Sequence, residues 1–575
     1  MKEATNESAL SERLRSRRLP LRRVRAVAVV AAVAVALVGC ASIPSTGGVQ
    51  TGDPITSKVQ SDIEYLPSGP VAGSDQERIL RGFVAAGTGS QSDYAVAREY
   101  LSKSFSKKWN PRAGVIVRQG SGTFRSVSDS QATFTVQSAA TVDAEGHYTE
   151  SQPSTSTNLS FKFVKESGQW RLSYAPDGIQ LSTANFDLVF RPHAVYFFDP
   201  TYSYLVPDQR WFLARTSTTT RIVSALLAGP STWLRGAVVS AFPEGTQLSL
   251  DSVTVASGTA KVDLSGDALS ADSTARIRMH AQLLASLSTV ATVNAVDINV
   301  EGNALSIPSG SQPSVNPTVD ARPLVIAKGQ FGFASPTTVS PIPGLTKSVT
   351  SLKPTSVELS TKQNVAAVGT AAGVYAVKDD GIARKVDSRS DLAAPSLDDL
   401  GYVWSAKVDQ PRSLTAFTLD GVAHPLTTSL PADESLVAFK VSRDGTRVVL
   451  LLNADGTTKL LVAAVIRDSK HVPVKLGDPL ELTPPSGNPV AVTWVDELTV
   501  ATLSTNDAGD SLVAEQDVGG ETTDLGRPTG TGVDIVGGNG ADRVRVLTAT
   551  GSLLEPRGNG WEDTGVSADL LATQR

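Results

Sequence analysis

One cysteine, Cys40, stands in a chain of 575 residues, at the end of the stretch VAVALVGCAS. A thiol can serve as nucleophile, metal ligand, disulfide partner or lipid acceptor. The lack of a second cysteine removes intrachain disulfides and cysteine-pair zinc sites. The five histidines, His147, His193, His280, His424 and His471, fall in separate segments with no two at metal-ligand spacing, so no metal centre is expected. Ser104 and Lys107 frame the pattern S-x-x-K, which supplies the nucleophile of penicillin-recognising enzymes, but no S-D-N or K-T-G accompanies it. Gly537, Gly538, Asn539 and Gly540 form a glycine-rich turn after a strand pattern. A phosphate loop needs a lysine and a helix after it, and the sequence supplies neither. Asp263 and Asp297 would do acid–base work only if two strand ends paired them; the simpler reading is two polar residues near strand ends. Tyr196, Phe197, Phe198, Tyr202 and Tyr204 crowd one segment, with Trp211 and Phe212 just beyond. Such a cluster either stacks on sugar rings or fills a seam between domains, and full burial of Tyr202 and Trp211 would exclude the sugar. No catalytic residue and no cofactor is expected from this inventory.

The surroundings of Cys40 decide its chemistry. Seven arginines lie between positions 13 and 25, and residues 26–38 then run without a polar side chain. That run suits the apolar core of a signal peptide and falls short of the roughly 20 residues a spanning helix needs. Leu37, Val38 and Gly39 precede the cysteine, as in the lipobox of bacterial lipoproteins: a small residue opens the bond to the signal peptidase while the thiol takes a diacylglyceryl group. The expectation is Sec export, cleavage after Gly39, and an N-palmitoyl, S-diacylglycerol Cys40. Each buried methylene contributes about 0.8 kcal/mol, so the lipids would hold the protein on the extracytoplasmic face of the cell membrane.

The charge fits an exported body. Eight of the 52 basic and three of the 57 acidic residues precede Cys40, leaving 44 against 54 and a net charge of −10. An acidic surface disfavours nucleic acid as a partner. The chain is 41% hydrophobic and only 6% aromatic, enough for several β-rich cores.

Patterning divides the chain into residues 1–39, the signal peptide; 40–73, a tether rich in Ser, Gly, Pro and Thr; 74–185; 186–307; 308–345, a linker and entry segment; and 346–575. The stretch SDQERILRGFVAAG predicts a helix with Ser74 as its N-cap, and SDYAVAREYLSKSFSKKW predicts a second helix ended by Asn110-Pro111. Strands follow, among them the hairpin FKFVKESGQWRLSY. Two helices before a curved antiparallel sheet resemble an NTF2-like α+β domain. In 186–307, the helix RIVSALLAGP, the turn at Pro243, Gly245 and Thr246, the strand GTAKVDLS and the helix holding AQLLASL resemble the GerMN domain, which carries no known catalytic group. Beyond the linker come short strands with weak repeats, including SRDGTRVVLL, a strand-turn-strand of propeller type. An irregular β-propeller is expected, with a pair of β-sandwiches as the alternative. The fold class is thus multidomain and β-rich.

Behind a lipobox, these three parts in this order resemble the actinobacterial lipoprotein LpqB family, over nearly the whole mature chain and most clearly in RILRGFVAAG and DYAVAREYLSKSFSKKWNP. The resemblance implies a non-catalytic accessory of a two-component system that touches the extracellular domain of an MtrB-type sensor kinase and alters its signalling to MtrA in cell-envelope homeostasis. The alternative is a binder of cell-wall glycan or muropeptide without kinase contact.

Overall fold

The computed structural model describes residues 66–152, 155–215 and 217–575. Cys40, the leader and most of the tether lie outside the described residues. Among those described, no helix is long and apolar enough to cross a membrane.

The first helix, Gln76–Ala86, buries Ile79, Leu80, Phe83 and Val84, the stripe read from the sequence. Its cap is Asp75 rather than Ser74: the Asp75 carboxylate accepts from Arg78 N–H at 2.8 Å. A carboxylate both bonds the free N–H and places negative charge at the positive end of the helix. The long second helix is broken into Ala95–Glu99 and Lys103–Ser106. Between them the backbone pairs with a strand, Leu172 N–H donating to Tyr100 O at 2.9 Å and Ser102 N–H to Leu172 O at 2.8 Å. An open sheet edge captured the chain where periodicity alone called for another helical turn. The sheet runs in the order Gln169–Tyr174, Ser156–Glu166, Gln131–Asp143, Gly114–Ser128, Ile179–Ser182, with Tyr148–Glu150 also against Gln131–Asp143. It departs from the expected antiparallel form in one pair, since Ile179–Ser182 lies parallel to Gly114–Ser128. Gly178 N–H donates to Asn110 O at 2.7 Å and brings that strand in at the same end as its neighbour.

The second domain opens with the hairpin Phe190–Phe198 and Tyr204–Leu213. Helix Thr218–Ala228 follows and stops at Gly229. Strands Thr259–Leu264 and Ala295–Val300 are parallel and joined through helix Ser273–Leu287, as a parallel pair requires. Alternate strand residues Val262, Leu264, Val296, Ile298 and Val300 face the helix residues Met279, Leu283 and Leu287 to make the core.

The remainder is a ring of six blades, the first and last joined into one eight-stranded sheet by the parallel pairing of Leu570–Gln574 with Ser356–Ser360. Five begin with the strands Ser356–Ser360, Ser396–Leu397, Ser435–Val441, Asn488–Trp494 and Gly532–Val536. The sixth is built from Leu324–Ala327, Gln330–Ala334 and Val339–Pro341, within the segment 308–345, together with the last strand Leu570–Gln574. Each of these innermost strands touches the next, and Leu570–Gln574 touches both Ser356–Ser360 and Gly532–Val536. The chain end therefore fastens the ring. The SRDGTR turn behaves as read: Asp444 accepts from Thr446 N–H at 2.8 Å and from the Ser442 hydroxyl at 2.7 Å. The buried Arg447 after it ion-pairs with Asp444 and lies over the Trp494 ring at 5.0 Å.

Candidate functional site

Strand Tyr204–Leu213 is buried along nearly its whole length. It is the middle strand of a three-stranded sheet, between Phe190–Phe198 and Ser314–Val315. A small sheet of this kind commonly leaves one face to water, and here the first domain and the propeller cover what the second domain does not. Trp211 stacks on Tyr148 of the first domain, with centroids 5.0 Å apart, and lies 5.1 Å from Phe186. Its indole N–H donates to Gly519 O of the propeller at 3.0 Å. The Tyr204 hydroxyl donates to Asp399, and the Lys362 ammonium sits 2.8 Å from the same oxygen. Tyr196 donates to Glu497 at 3.0 Å. Trp211, only 7% exposed, Tyr204 and Tyr196 thus lie in an inter-domain seam, while Phe197 and Phe212 fill the second domain's own core and Phe198 packs against Tyr202. Tyr202 alone is half-buried, and the Arg278 guanidinium covers its ring at 3.6 Å from the centroid.

A polar strut crosses the seam beside Trp211. The turn DAEGH of the first domain folds back so that Asp143 accepts from the N–H groups of Glu145 and His147, at 3.0 and 2.9 Å, and from the His147 ring at 2.7 Å. Burial opposes the charge on Asp143, and these hydrogen bonds outweigh it, holding the carboxyl below its ordinary range. His147 Nε2 then meets Ser231 Oγ of the second domain at 2.9 Å. Ser231 is tied to Asp208 twice, hydroxyl to Oδ1 at 2.5 Å and N–H to Oδ2 at 2.8 Å, and Arg210 pairs with Asp208 at 2.8 Å. Arg210 closes the circuit by donating to Glu145 O at 3.1 Å.

Asp143, His147 and Ser231 stand at the distances of an acyl-transfer triad. The hydroxyl proton, however, is donated to Asp208 rather than to His147. A carboxylate 2.5 Å from Oγ also opposes the negative charge that attack on a carbonyl would develop. The arrangement suits a strut between domains rather than a nucleophile. Asp143, Glu145 and His147 bring ligand atoms within 4.8 Å of one another, and Asp143 spends both its oxygens on the turn and the imidazole.

Next to this strut lies a cavity of about 330 Å³ to which all three domains contribute. His147 and Thr149 come from the first, Asp208, Ser231 and Trp233 from the second, and Asp478, Pro479 and Leu480 from the propeller. Nearby, Glu150 of the first domain accepts from the hydroxyls of Thr483 and Thr522 at 2.6 Å each. The seam is acid-rich: burial first, and then Asp187, Glu150 and Asp517, push the Glu521 carboxyl up.

The other candidates do not converge. Ser104 and Lys107 are exposed at a four-residue helix. Asp263 stands opposite Asn299 and Asp297 opposite Lys261, and the Gly302 N–H donates to Asp263 at 3.0 Å. In the glycine turn, a Cβ on Gly537 would lie 1.9 Å from Trp494 O, and Arg443 donates to Gly538 O, so the turn is packed against the neighbouring blade. His193 is buried and donates to or accepts from Thr289 Oγ1 at 3.1 Å, burial pulling its pKa down to about 4. The strut itself was not foreseen. Its local signal was the turn DAEGH, but Ser231 lies 84 residues beyond His147 and carries no motif.

Two α+β domains and a β-propeller, knit along one strand, define a multidomain, β-rich protein. Residues 69–187 match the family described as Lipoprotein LpqB, N-terminal domain; residues 194–306 match Sporulation and spore germination; residues 329–568 match the Lipoprotein LpqB beta-propeller domain. The chain belongs to the LpqB lipoprotein family. It is 25% identical to Lipoprotein LpqB of Thermobifida fusca, over 87% of this chain and 90% of that one, and 25% identical to that of Streptomyces coelicolor, over 91% and 94%. The match to the Bifidobacterium longum protein is 34% identical but spans 39% of this chain and 40% of that one, and the match to the Cutibacterium acnes protein spans 46% of it. Among solved structures, the first GerMN domain of the sporulation protein GerM from Bacillus subtilis is 18% identical, covering 22% of this chain and 93% of that one, with a TM-score of 0.18.

Proposed function

We propose that this chain is exported, cleaved after Gly39, lipidated at Cys40, and held on the extracytoplasmic face of the cell membrane, where it modulates an MtrB-type sensor kinase without catalysing a reaction. Membership of the LpqB family carries this reading. The physical arrangement is compatible with it: the Ser–His–Asp grouping has its hydroxyl proton committed elsewhere, and the propeller offers broad faces of the kind that bury the ~1,600 Å² of a standard protein interface. The test is phosphoryl transfer from the kinase to its response regulator in vesicles, with and without the lipidated protein. The anchored protein changes the transfer rate several-fold, and the Cys40→Ser form at the same bulk concentration does so far less. An unchanged rate with the anchored protein refutes the reading.

One observation favours the second reading, a binder of cell-wall fragments. The three-domain cavity pairs acceptor groups with a half-buried indole, Trp233, the combination that holds a sugar or peptide unit.

A further inference from the structure

The three-domain cavity is lined by polar side chains that are held in place and by apolar ones. We infer that it is a binding site for a small molecule carrying hydroxyl or ammonium donors on an apolar frame, such as the amino-sugar or the amine-bearing peptide unit of a cell-wall fragment; this rests on the second reading above. Its volume of about 330 Å³ falls within the usual range of ligand sites, roughly 300–1,000 Å³. The polar lining is fixed before any ligand arrives. Asp208 is 2% exposed and held by Arg210 and Ser231, while His147 is held by Asp143. Groups so placed lose little freedom on binding.

The chemistry of the lining selects the ligand. Asp208 and Asp478 line the cavity, Asp143 stands behind His147, and Asp517 and Glu521 lie in the adjoining strand and turn of the propeller. Arg210 and Asp208 neutralise each other at 2.8 Å, so the lining's net negative charge comes from Asp478 and the carboxylates behind and beside the cavity. A negative field of this kind repels phosphate and carboxylate groups and favours neutral polyols and cations. Trp233, Pro479 and Leu480 line the same cavity and present the apolar surface on which a sugar face or an aliphatic stem rests. Trp233 packs against both the second-domain core and a propeller core, so it also reports whether the two are docked. A ligand here touches all three domains at once and stabilises their docked arrangement by mass action.

The test uses the soluble chain from residue 41 onward and three probes: chitobiose for the sugar source, an L-lysine-containing tripeptide for the amine source, and the same tripeptide with its amines acetylated. Calorimetric titration of chitobiose or the amine tripeptide gives saturable binding, and the acetylated tripeptide gives none. Trp233→Ala and the exposed, fold-neutral Asp478→Asn each weaken binding at least tenfold with an unchanged circular dichroism spectrum. Retention on purified sacculi separates the two claims. Retention of the wild type and loss with the cavity variants supports the site. Equal retention of wild type and variants overturns the site while leaving the envelope reading standing, and no retention of the wild type overturns the reading itself. Binding of neither small probe, or binding that both variants leave intact, also overturns the site.

Discussion

Asp534 sits on the innermost strand Gly532–Val536 and accepts from Ile535 N–H at 2.8 Å. Burial pushes its carboxyl up to about 6, against the pull of Lys440 and of that hydrogen bond. The folded state therefore holds a proton that the unfolded chain, with an ordinary carboxyl near 4, gives up. The stabilisation this supplies is complete below about pH 4 and is lost as the pH rises through about 6. Asp534→Asn, which keeps the shape and removes the charge, should stabilise the protein by about 1–2 kcal/mol at pH 8 and hardly at all at pH 4, read by urea unfolding at both. Equal effects at the two pH values would contradict the assignment. Single residues were unevenly legible in the sequence. The aromatic run marked the region but left a sugar platform and a seam both open, because the pattern does not say which rings face another domain; Trp211 and Tyr204 do, and Phe197 fills its own domain's core. His147 was not legible, because its role depends on Ser231 and Asp208, which only the tertiary fold brings within reach.

At the scale of elements, the turn after Gln131–Asp143 joins the first domain to the second through His147 and the Gly146 and Glu145 carbonyls. Gly146 has φ +90°, and a Cβ there would stand 2.9 Å from Trp211 O, whose own N–H donates to Gly146 O at 2.8 Å. Gly146→Ala must both strain the backbone and push the first domain off the strand Tyr204–Leu213. A loss of about 1–3 kcal/mol is expected, with a change in Trp211 fluorescence as its indole leaves the stack on Tyr148. Unchanged stability and fluorescence would show that the turn does not bear on the seam. Helix Gln76–Ala86 and the crossover helix Ser273–Leu287 were readable because amphipathic periodicity and a real core coincide. The broken second helix and the strand Leu570–Gln574 were not, since each owes its form to a partner far along the chain: Leu172 in one case, Leu324–Ala327 in the other. Local pattern carries no record of such partners.

The described residues form three domains that share one buried strand, and the propeller is fastened by the chain's own last strand. The first domain was legible from helical periodicity and hairpin alternation, the second through its resemblance to the GerMN domain and the third from weak repeats, while the number of blades was not, because the six blades differ in strand length and spacing. What the whole molecule does for a kinase is a matter of binding, and binding can be measured directly. The first measurement is a titration of the soluble chain, residue 41 onward, against the purified extracellular domain of an MtrB-type kinase. Saturable binding at micromolar concentration or tighter, about −8 kcal/mol, is the result expected of a kinase accessory. No binding at concentrations a hundredfold higher would contradict it.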